Sequence, residues 1–162
     1  MDALDLLEQQ HRDVSALIER IAVEPSAGRR GALTGELVCA LGAHSRSEQR
    51  LFYGAARARF AEDGRLYEAL ENHGLLRFAA ANLLRTRPTD ARFAARLELV
   101  RELHDRHAAG EEDWAFPKAK RNLSDEELDT LGAELARAHA HLTATGVAES
   151  VRRRPMSVAV PA

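Results

Sequence analysis

Two stretches of the sequence repeat one arrangement of side chains that could bind a metal. Residues 44–54 read HSRSEQRLFYG, and residues 107–117 read HAAGEEDWAFP. Each stretch begins with a His and carries a Glu four residues later, and an α-helix would place those two side chains on one face. Imidazole nitrogens and carboxylate oxygens are both metal ligands. The repeat is therefore either an accident of packing or the two halves of one metal site.

Polar residues also interrupt the apolar stripes of four segments. In each segment apolar side chains recur three or four residues apart, which is the period of a helix with one buried face. Each stripe has a His where Leu or Ile belongs, and two stripes add a Glu one turn later. These residues are His11, His44, Glu48, His73, His107 and Glu111. A buried carboxylate is costly unless it is paired or bound to a metal, so the set favours a metal site over an ordinary core.

Loop and turn residues divide the chain into segments long enough for helices of several turns. The breaks fall at residues 25–31, residues 63–64, residues 87–90 and Pro117. Ser124 and Glu127 then form the pattern of a capping box, which opens a fifth segment. Short connections between helices favour antiparallel neighbours.

The sequence therefore predicts an all-α fold. We expect an up-down-up-down antiparallel four-helix bundle with an additional C-terminal helix packed outside it and a loose tail. The expected boundaries are residues 1–146 for the helical bundle, as one domain, and residues 147–162 for a flexible C-terminal tail. In such a bundle the midpoints of four helices meet at one level, so the six polar residues can converge inside the core.

Composition limits the classes of partner. The chain has 162 residues, 45% of them hydrophobic, which suits one soluble globular domain. Its formal net charge of −2 gives no strong electrostatic field that would attract nucleic acid or acidic lipid. Cys39 is the only cysteine, so an intrachain disulfide is excluded. The N-terminus lacks a signal-peptide pattern, and no apolar run approaches the roughly 20 residues of a membrane span. We expect a cytoplasmic protein with no nucleic-acid or membrane partner.

The ligand inventory favours a pair of metal ions. Four imidazoles and two carboxylates are too many for one tetrahedral zinc. They are too rich in nitrogen for calcium or magnesium, which prefer oxygen ligands. Two ions that share the Glu carboxylates fit better, and mixed imidazole and carboxylate ligation suits iron. A di-iron centre is the resulting interpretation.

At this point the sequence resembles hemerythrin-like proteins of the HHE cation-binding family. The family pattern is His on the first helix, HxxxE on the second, His on the third and HxxxE on the fourth, and it is present here as QQHRD, HSRSE, ENHGL and HAAGE. The resemblance covers about residues 1–142 and is greatest to the small actinobacterial hemerythrin-like proteins. It implies two iron ions with a bridging oxo or hydroxo group, and Glu48 and Glu111 as bridging carboxylates.

One departure from the family bears on function. Oxygen-carrying hemerythrins have two His one turn apart on the third helix, whereas His73 here has Ala69 before it and Arg77 after it. The resemblance then implies an extra coordination position and argues against reversible oxygen carriage. We expect a non-haem di-iron protein that binds or reacts with O2, H2O2 or NO, with catalase-like peroxide removal favoured. The alternatives are a sensor of oxygen, NO or iron that signals through a protein partner, and a metal-free scaffold, which is the weakest.

Several neighbouring residues receive ordinary structural interpretations. On an uninterrupted helix Tyr53 would lie opposite His44, away from the site, and Glu112 would be solvated. His104 is interpreted as a packed, hydrogen-bonded core His. Phe52, Trp114 and Phe116 are expected to wall the site, or simply to pack in the core. His139 and His141 are expected at the surface, and Cys39 has no evident metal partner.

Overall fold

The computed structural model describes residues 1–60 and 64–145. These residues are almost entirely helical, and one π-helical turn interrupts the α-helices. We call this element the π-turn (Glu111–Ala115). The α-helices are α1 (Ala3–Val23), α2 (Ala27–Arg50), α3 (Phe52–Arg59), α4 (Gly64–Leu84), α5 (Phe93–Gly110), α6 (Phe116–Asn122) and α7 (Asp125–Ala144).

Side-chain caps start three of the helices at the positions where the sequence supplies Asp or Ser. Asp2 accepts hydrogen bonds from the backbone of Leu4 and Asp5, and Ser26 accepts one from Arg29. These side chains satisfy amide groups that have no partner within a helix. The capping box at the start of α7 is confirmed, because Ser124 and Glu127 bond each other's backbone amides.

Four long helices form the bundle and a fifth packs outside it. Helix α1 packs on α2 and α5, and α4 packs on α2 and α5, so these four close a ring. Helix α7 lies against α1 and α2. Gly132 permits this approach, because a Cβ there would come within 2.8 Å of the backbone of residues 1–3. The predicted four-helix bundle with an additional C-terminal helix is confirmed, while the predicted tail lies outside the described residues.

Two apolar clusters lie on either side of the level at which the His residues occur. The first cluster, which we call the α7-side core, includes Leu7, Phe52, Phe116 and Leu135. The second, the distal core, includes Ile18, Leu37, Leu76, Leu83 and Val100. The polar residues are thus enclosed between two dry layers, where an unpaired charge would be costly.

The helix boundaries differ from the sequence prediction in three places. The first loop is shorter than predicted, because Gly28 and Gly31 already belong to α2. The second predicted helix ends at Leu51 and resumes as α3, and Ser47 just before this break bonds the carbonyls of residues 43 and 44, a contact that bends helices. The fourth predicted helix continues through the π-turn. Pro117 then lies in the first turn of α6, where a residue does not need a backbone N–H group.

Among residues 1–60 and 64–145, no helix combines the length and the apolar character that crossing a bilayer demands.

Candidate metal centre

The structure brings all six predicted side chains together inside the bundle. Their ligand atoms form two groups within which every pair of atoms is less than 4.8 Å apart. His44 and His107 belong to both groups, and all the members are buried. The first group adds His11 and Glu111, and the second adds Glu48 and His73. Overlapping groups of this kind offer positions for two neighbouring ions.

Glu48 stands between imidazoles from two helices. Its Oε2 atom lies 3.1 Å from His44 Nε2 and 3.0 Å from His73 Nε2. The Nε2 atom of His107 is farther away, at 3.9 Å. The carboxylate is fully buried, so its position depends on these nitrogens rather than on water.

Glu111 occupies the corresponding place on the other side. Its Oε2 atom lies 3.3 Å from His11 Nε2 and 3.5 Å from His107 Nε2. Its Oε1 atom is 3.8 Å from His73 Nε2. Both carboxylates therefore face the same central space, which is also bounded by His44 Nε2 and His107 Nε2, 3.1 Å apart.

Several inward-facing atoms lack hydrogen bonds. Within residues 1–60 and 64–145, the buried ligand atoms without a hydrogen-bond partner include His11 Nε2, His73 Nε2, both oxygens of Glu48 and Oε2 of Glu111. Buried polar groups are normally paired, because an unpaired one costs about 1–3 kcal/mol. A cluster of unpaired nitrogens and carboxylate oxygens aimed at one space has the donor set of a cation site. The residues present therefore fit the metal that the resemblance implies.

Three of the imidazoles are held from behind through their other ring nitrogen. His11 Nδ1 donates to Glu112 Oε1 at 2.8 Å, and His44 Nδ1 donates to Gln10 Oε1 at 2.8 Å. The Nε2 atom of Gln49 lies 3.2 Å from the Nδ1 atom of His73. Partners of this kind fix the ring orientation in metal sites and leave Nε2 directed inward. Sequence reasoning missed Gln10 and Gln49, although each immediately neighbours a ligand candidate, His11 or Glu48.

Burial keeps two of the imidazoles, those of His107 and His11, in the form that binds metals. It lowers the pKa of His107 well below the ordinary value, and the neighbouring His73 lowers it further. Burial and the nearby His44 also lower the pKa of His11. Metal ligation requires a neutral imidazole. Proton competition for these two nitrogens is therefore weak near neutral pH.

The two carboxylates have opposite electrostatic surroundings. Burial alone would raise the pKa of Glu48, but the nearby imidazoles of His44 and His73 hold it well below the ordinary value. Burial raises the pKa of Glu111 well above its ordinary value, and the charge of Glu48 raises it further. In the metal-free site Glu48 therefore has the lower pKa and Glu111 the higher.

The interpretation of Tyr53 as remote from the site is wrong. Its side chain is buried, and its hydroxyl donates to Glu111 Oε1 at 2.5 Å. The prediction assumed an uninterrupted helix, whereas the break at Leu51 rotates α3 and turns Tyr53 inward. Burial and the charge of Glu111 raise the pKa of Tyr53, so the phenol keeps its proton. The repeated aromatic residues after each HxxxE were the sequence signal for this contact.

The interpretation of Glu112 as a solvated residue agrees with its exposure but misses its contact with His11. Its side chain is half exposed, yet its Oε1 atom binds His11 Nδ1. The π-turn explains this, because its wider i→i+5 bonding turns consecutive residues through a smaller angle than an α-helix does. Glu111 and Glu112 therefore both reach His11, one at each ring nitrogen.

His104 lies beside the cluster and outside both ligand groups. Its Nε2 atom donates to the backbone carbonyl of His11 at 3.1 Å and lies 3.1 Å from Ser15 Oγ. Burial and the charge of His11 lower its pKa to about 4. The prediction of a packed, hydrogen-bonded core His is confirmed.

The aromatic residues near the site and the His residues of α7 differ in how deeply they are buried. Phe52 and Phe116 are buried in the α7-side core, and Phe116 stacks on His11 with ring centroids 6.0 Å apart, while Trp114 is only half-buried. His141 is exposed as expected. His139 is instead half-buried, and burial together with the charge of His44 lowers its pKa. Cys39 is partly buried, with Sγ 3.8 Å from the carbonyl of Thr143.

The core of this helical bundle gathers imidazoles and carboxylates around one space. These features are typical of helical-bundle proteins with a cation site in the core. Comparisons with known proteins agree with this class. Residues 2–119 match the family model described as the hemerythrin HHE cation binding domain. The chain therefore belongs to the hemerythrin HHE cation binding family.

The fold is also similar to a solved structure. The crystal structure of a hemerythrin HHE cation binding domain-containing protein from Mycobacterium kansasii superposes with a TM-score of 0.80 and 24% sequence identity. The match covers 95% of this chain and 94% of that chain, so it includes the additional C-terminal helix region. Among proteins with curated descriptions, none matches the chain.

Proposed function

We propose that the six clustered side chains hold two iron ions with a bridging oxo or hydroxo group, and that the protein reacts there with a small oxidant. The observation that carries the proposal is the convergence of unpaired, buried nitrogen and carboxylate atoms in two overlapping ligand groups. Glu48 and Glu111 each face imidazoles of different helices, which suits carboxylates that bridge two ions. Family membership supports iron as the metal.

Catalase-like removal of hydrogen peroxide is the favoured reaction. One peroxide is reduced to water and a second is oxidised to O2, so the reaction needs no further oxidant or reductant. When bound, a pair of irons supplies the two-electron redox chemistry that this exchange requires. The four-His inventory, with Ala69 rather than a His one turn before His73, favours chemistry over simple oxygen carriage.

The chain's own residues supply positioning, a proton and a dry environment. Tyr53 holds a proton on its hydroxyl and directs it at Glu111 Oε1. Glu112 and Gln10 orient His11 and His44 through their Nδ1 atoms. Phe52 and Phe116 exclude water from one side, which raises the strength of every polar interaction inside.

The direct test is metal content per chain after aerobic purification, together with an absorption spectrum and a steady-state peroxide assay. We expect two irons per chain, oxo-bridge charge-transfer bands in the near ultraviolet, and O2 release well above that of free iron. Zinc alone, or no metal after anaerobic iron loading, would contradict the di-iron site. Two irons without peroxide turnover would leave the site intact and favour the sensor alternative.

A further inference from the structure

An opening on the surface between α4 and α5 borders the candidate metal centre. It is a cavity of about 300 Å³, and its lining includes His107 and Glu111, two of the six clustered residues. Around these lie Ala69 and Asn72 from α4 and Gly110 and Trp114 from α5 and the π-turn. The buried site therefore lies directly behind this face of the protein.

Small residues line the opening from both sides. Ala69 stands on α4 at the position one turn before His73, and Gly110 ends α5 immediately before Glu111. A Cβ atom added at Gly110 would meet nothing within 4 Å, so open space adjoins it. Because both residues line the opening, a larger side chain at either position would take up part of its volume.

The mouth carries balanced charge. Arg65 and Arg106 line it together with Glu68 and Asp113. The guanidinium of Arg65 lies 6.0 Å from the centre of the Trp114 ring, on the ring face. Two basic and two acidic groups produce no strong field of one sign, so neither anions nor cations are concentrated there. The opening therefore suits a small uncharged ligand.

A second cavity provides a comparison. It has a volume of about 340 Å³ and is lined by Gln49, Tyr53, Gly54, Arg57 and Leu70. None of these is one of the six clustered residues. A Cβ atom at Gly54 would also meet nothing within 4 Å, so this position matches Gly110 in local space but not in access to the ligands.

We propose that the opening between α4 and α5 is the entrance by which a small uncharged ligand reaches the face of the site formed by His107 and Glu111, and that Ala69 and Gly110 keep it open. This inference rests on the proposed di-iron function. It assigns to Ala69 a role in access, because its methyl group is too small to block the approach.

The test is the rate at which external ligands bind the iron-loaded protein, followed by stopped-flow absorption with NO and with azide as probes. The variants are Ala69→Leu and Gly110→Leu, with Gly54→Leu as the matched control, since Leu is a good helix former at each site. We expect the two entrance variants to bind both probes about tenfold more slowly or worse, because entry must wait for helix motions. Iron per chain and Tm are measured on every variant.

The expected pattern is slow binding in both entrance variants, an unchanged rate in Gly54→Leu, and azide rates that vary little with ionic strength. Unchanged rates in both entrance variants would overturn the proposal, and so would equal slowing in Gly54→Leu. A variant that loses iron is replaced by Ala69→Val or Gly110→Ala. Their smaller side chains should slow probe binding less than Leu does, but still relative to wild type and Gly54→Leu. Wild-type protein that takes up no iron would remove the proposed function and this route with it, whereas iron uptake with unaltered rates removes the route alone.

Discussion

The two HxxxE stretches have the same ligand spacing but different surroundings. Imidazoles of α2 and α4 lie against Glu48 and lower its pKa, whereas burial and the charge of Glu48 raise the pKa of Glu111, although Glu111 accepts a hydrogen bond from Tyr53. After Glu48 the helix breaks at Leu51, and after Glu111 it widens into the π-turn. One motif therefore supplies two chemically distinct carboxylates, because the groups around each copy differ.

The largest effect should come from removing either carboxylate. We expect Glu48→Ala and Glu111→Ala each to hold less than one iron per chain, because each change removes a ligand shared by imidazoles of two helices. Metal analysis after anaerobic iron loading measures this. Glu102→Ala, at an exposed position on α5, is the control and should bind iron like wild type. Full iron content in one of the two variants would show that only the other Glu is a ligand.

The next effect concerns the residues that hold the imidazoles from behind. We expect Glu112→Ala and Gln10→Ala to weaken iron binding by about 10–100-fold, the usual cost of losing such a partner. Competition with a chelator measures the affinity. Asp113→Ala is the control beside Glu112, since Asp113 belongs to neither ligand group. Equal affinity in Glu112→Ala and Asp113→Ala would mean that the contact at His11 does not position the ring.

Removing one hydroxyl group tests the hydrogen bond between Tyr53 and Glu111. Tyr53→Phe keeps the buried ring but leaves Glu111 Oε1 without its donor, so we expect the free energy of unfolding of the metal-free protein to fall by about 1–3 kcal/mol. Urea unfolding measures it. Tyr67→Phe removes a hydroxyl from an exposed side chain and should change stability by less than about 0.5 kcal/mol. If Tyr53→Phe lost no more stability than Tyr67→Phe, the hydrogen bond from Tyr53 to Glu111 would not stabilise the fold.

The residues that line the candidate metal centre could be predicted from the sequence, because the helical period alone decides which way they face. His11, His44, His73 and His107 interrupt apolar stripes, and any bundle built from those stripes turns them inward. The same argument reaches each Glu at i+4. The bundle, the outer helix and the capping box at Ser124 follow from similarly local patterns, and the structure confirms them.

The residues that contact the candidate ligands from outside could not be predicted in this way, because they depend on departures from a regular helix. Tyr53 reaches Glu111 only after the break at Leu51, and Glu112 reaches His11 only within the π-turn. A fixed 100° per residue places both side chains elsewhere. Gln10 depends on how α1 is rotated against α2, which stripe periodicity does not determine to the width of one side chain.

The smallest effect should appear in the pH dependence of the metal-free protein. Glu48 has a lowered pKa, so its contribution to stability is present above the unfolded value of about 4.3 and is lost as pH falls. Glu111 has a raised pKa, so its contribution is present below about 4.3 and is lost as pH rises through the folded value. Each group changes the slope by no more than one proton, about 1.4 kcal/mol per pH unit.

Urea unfolding of metal-free wild type, Glu48→Gln and Glu111→Gln across pH separates the two contributions. Glu111→Gln should remove the loss of stability on the alkaline side, because a neutral amide has no proton to lose. Glu48→Gln should remove the loss on the acid side. Both signs follow from whether the folded or the unfolded chain binds more protons. The same slope change in both variants would mean that the two copies of the motif hold equivalent carboxylates, and that the different groups around Glu48 and Glu111 do not separate them.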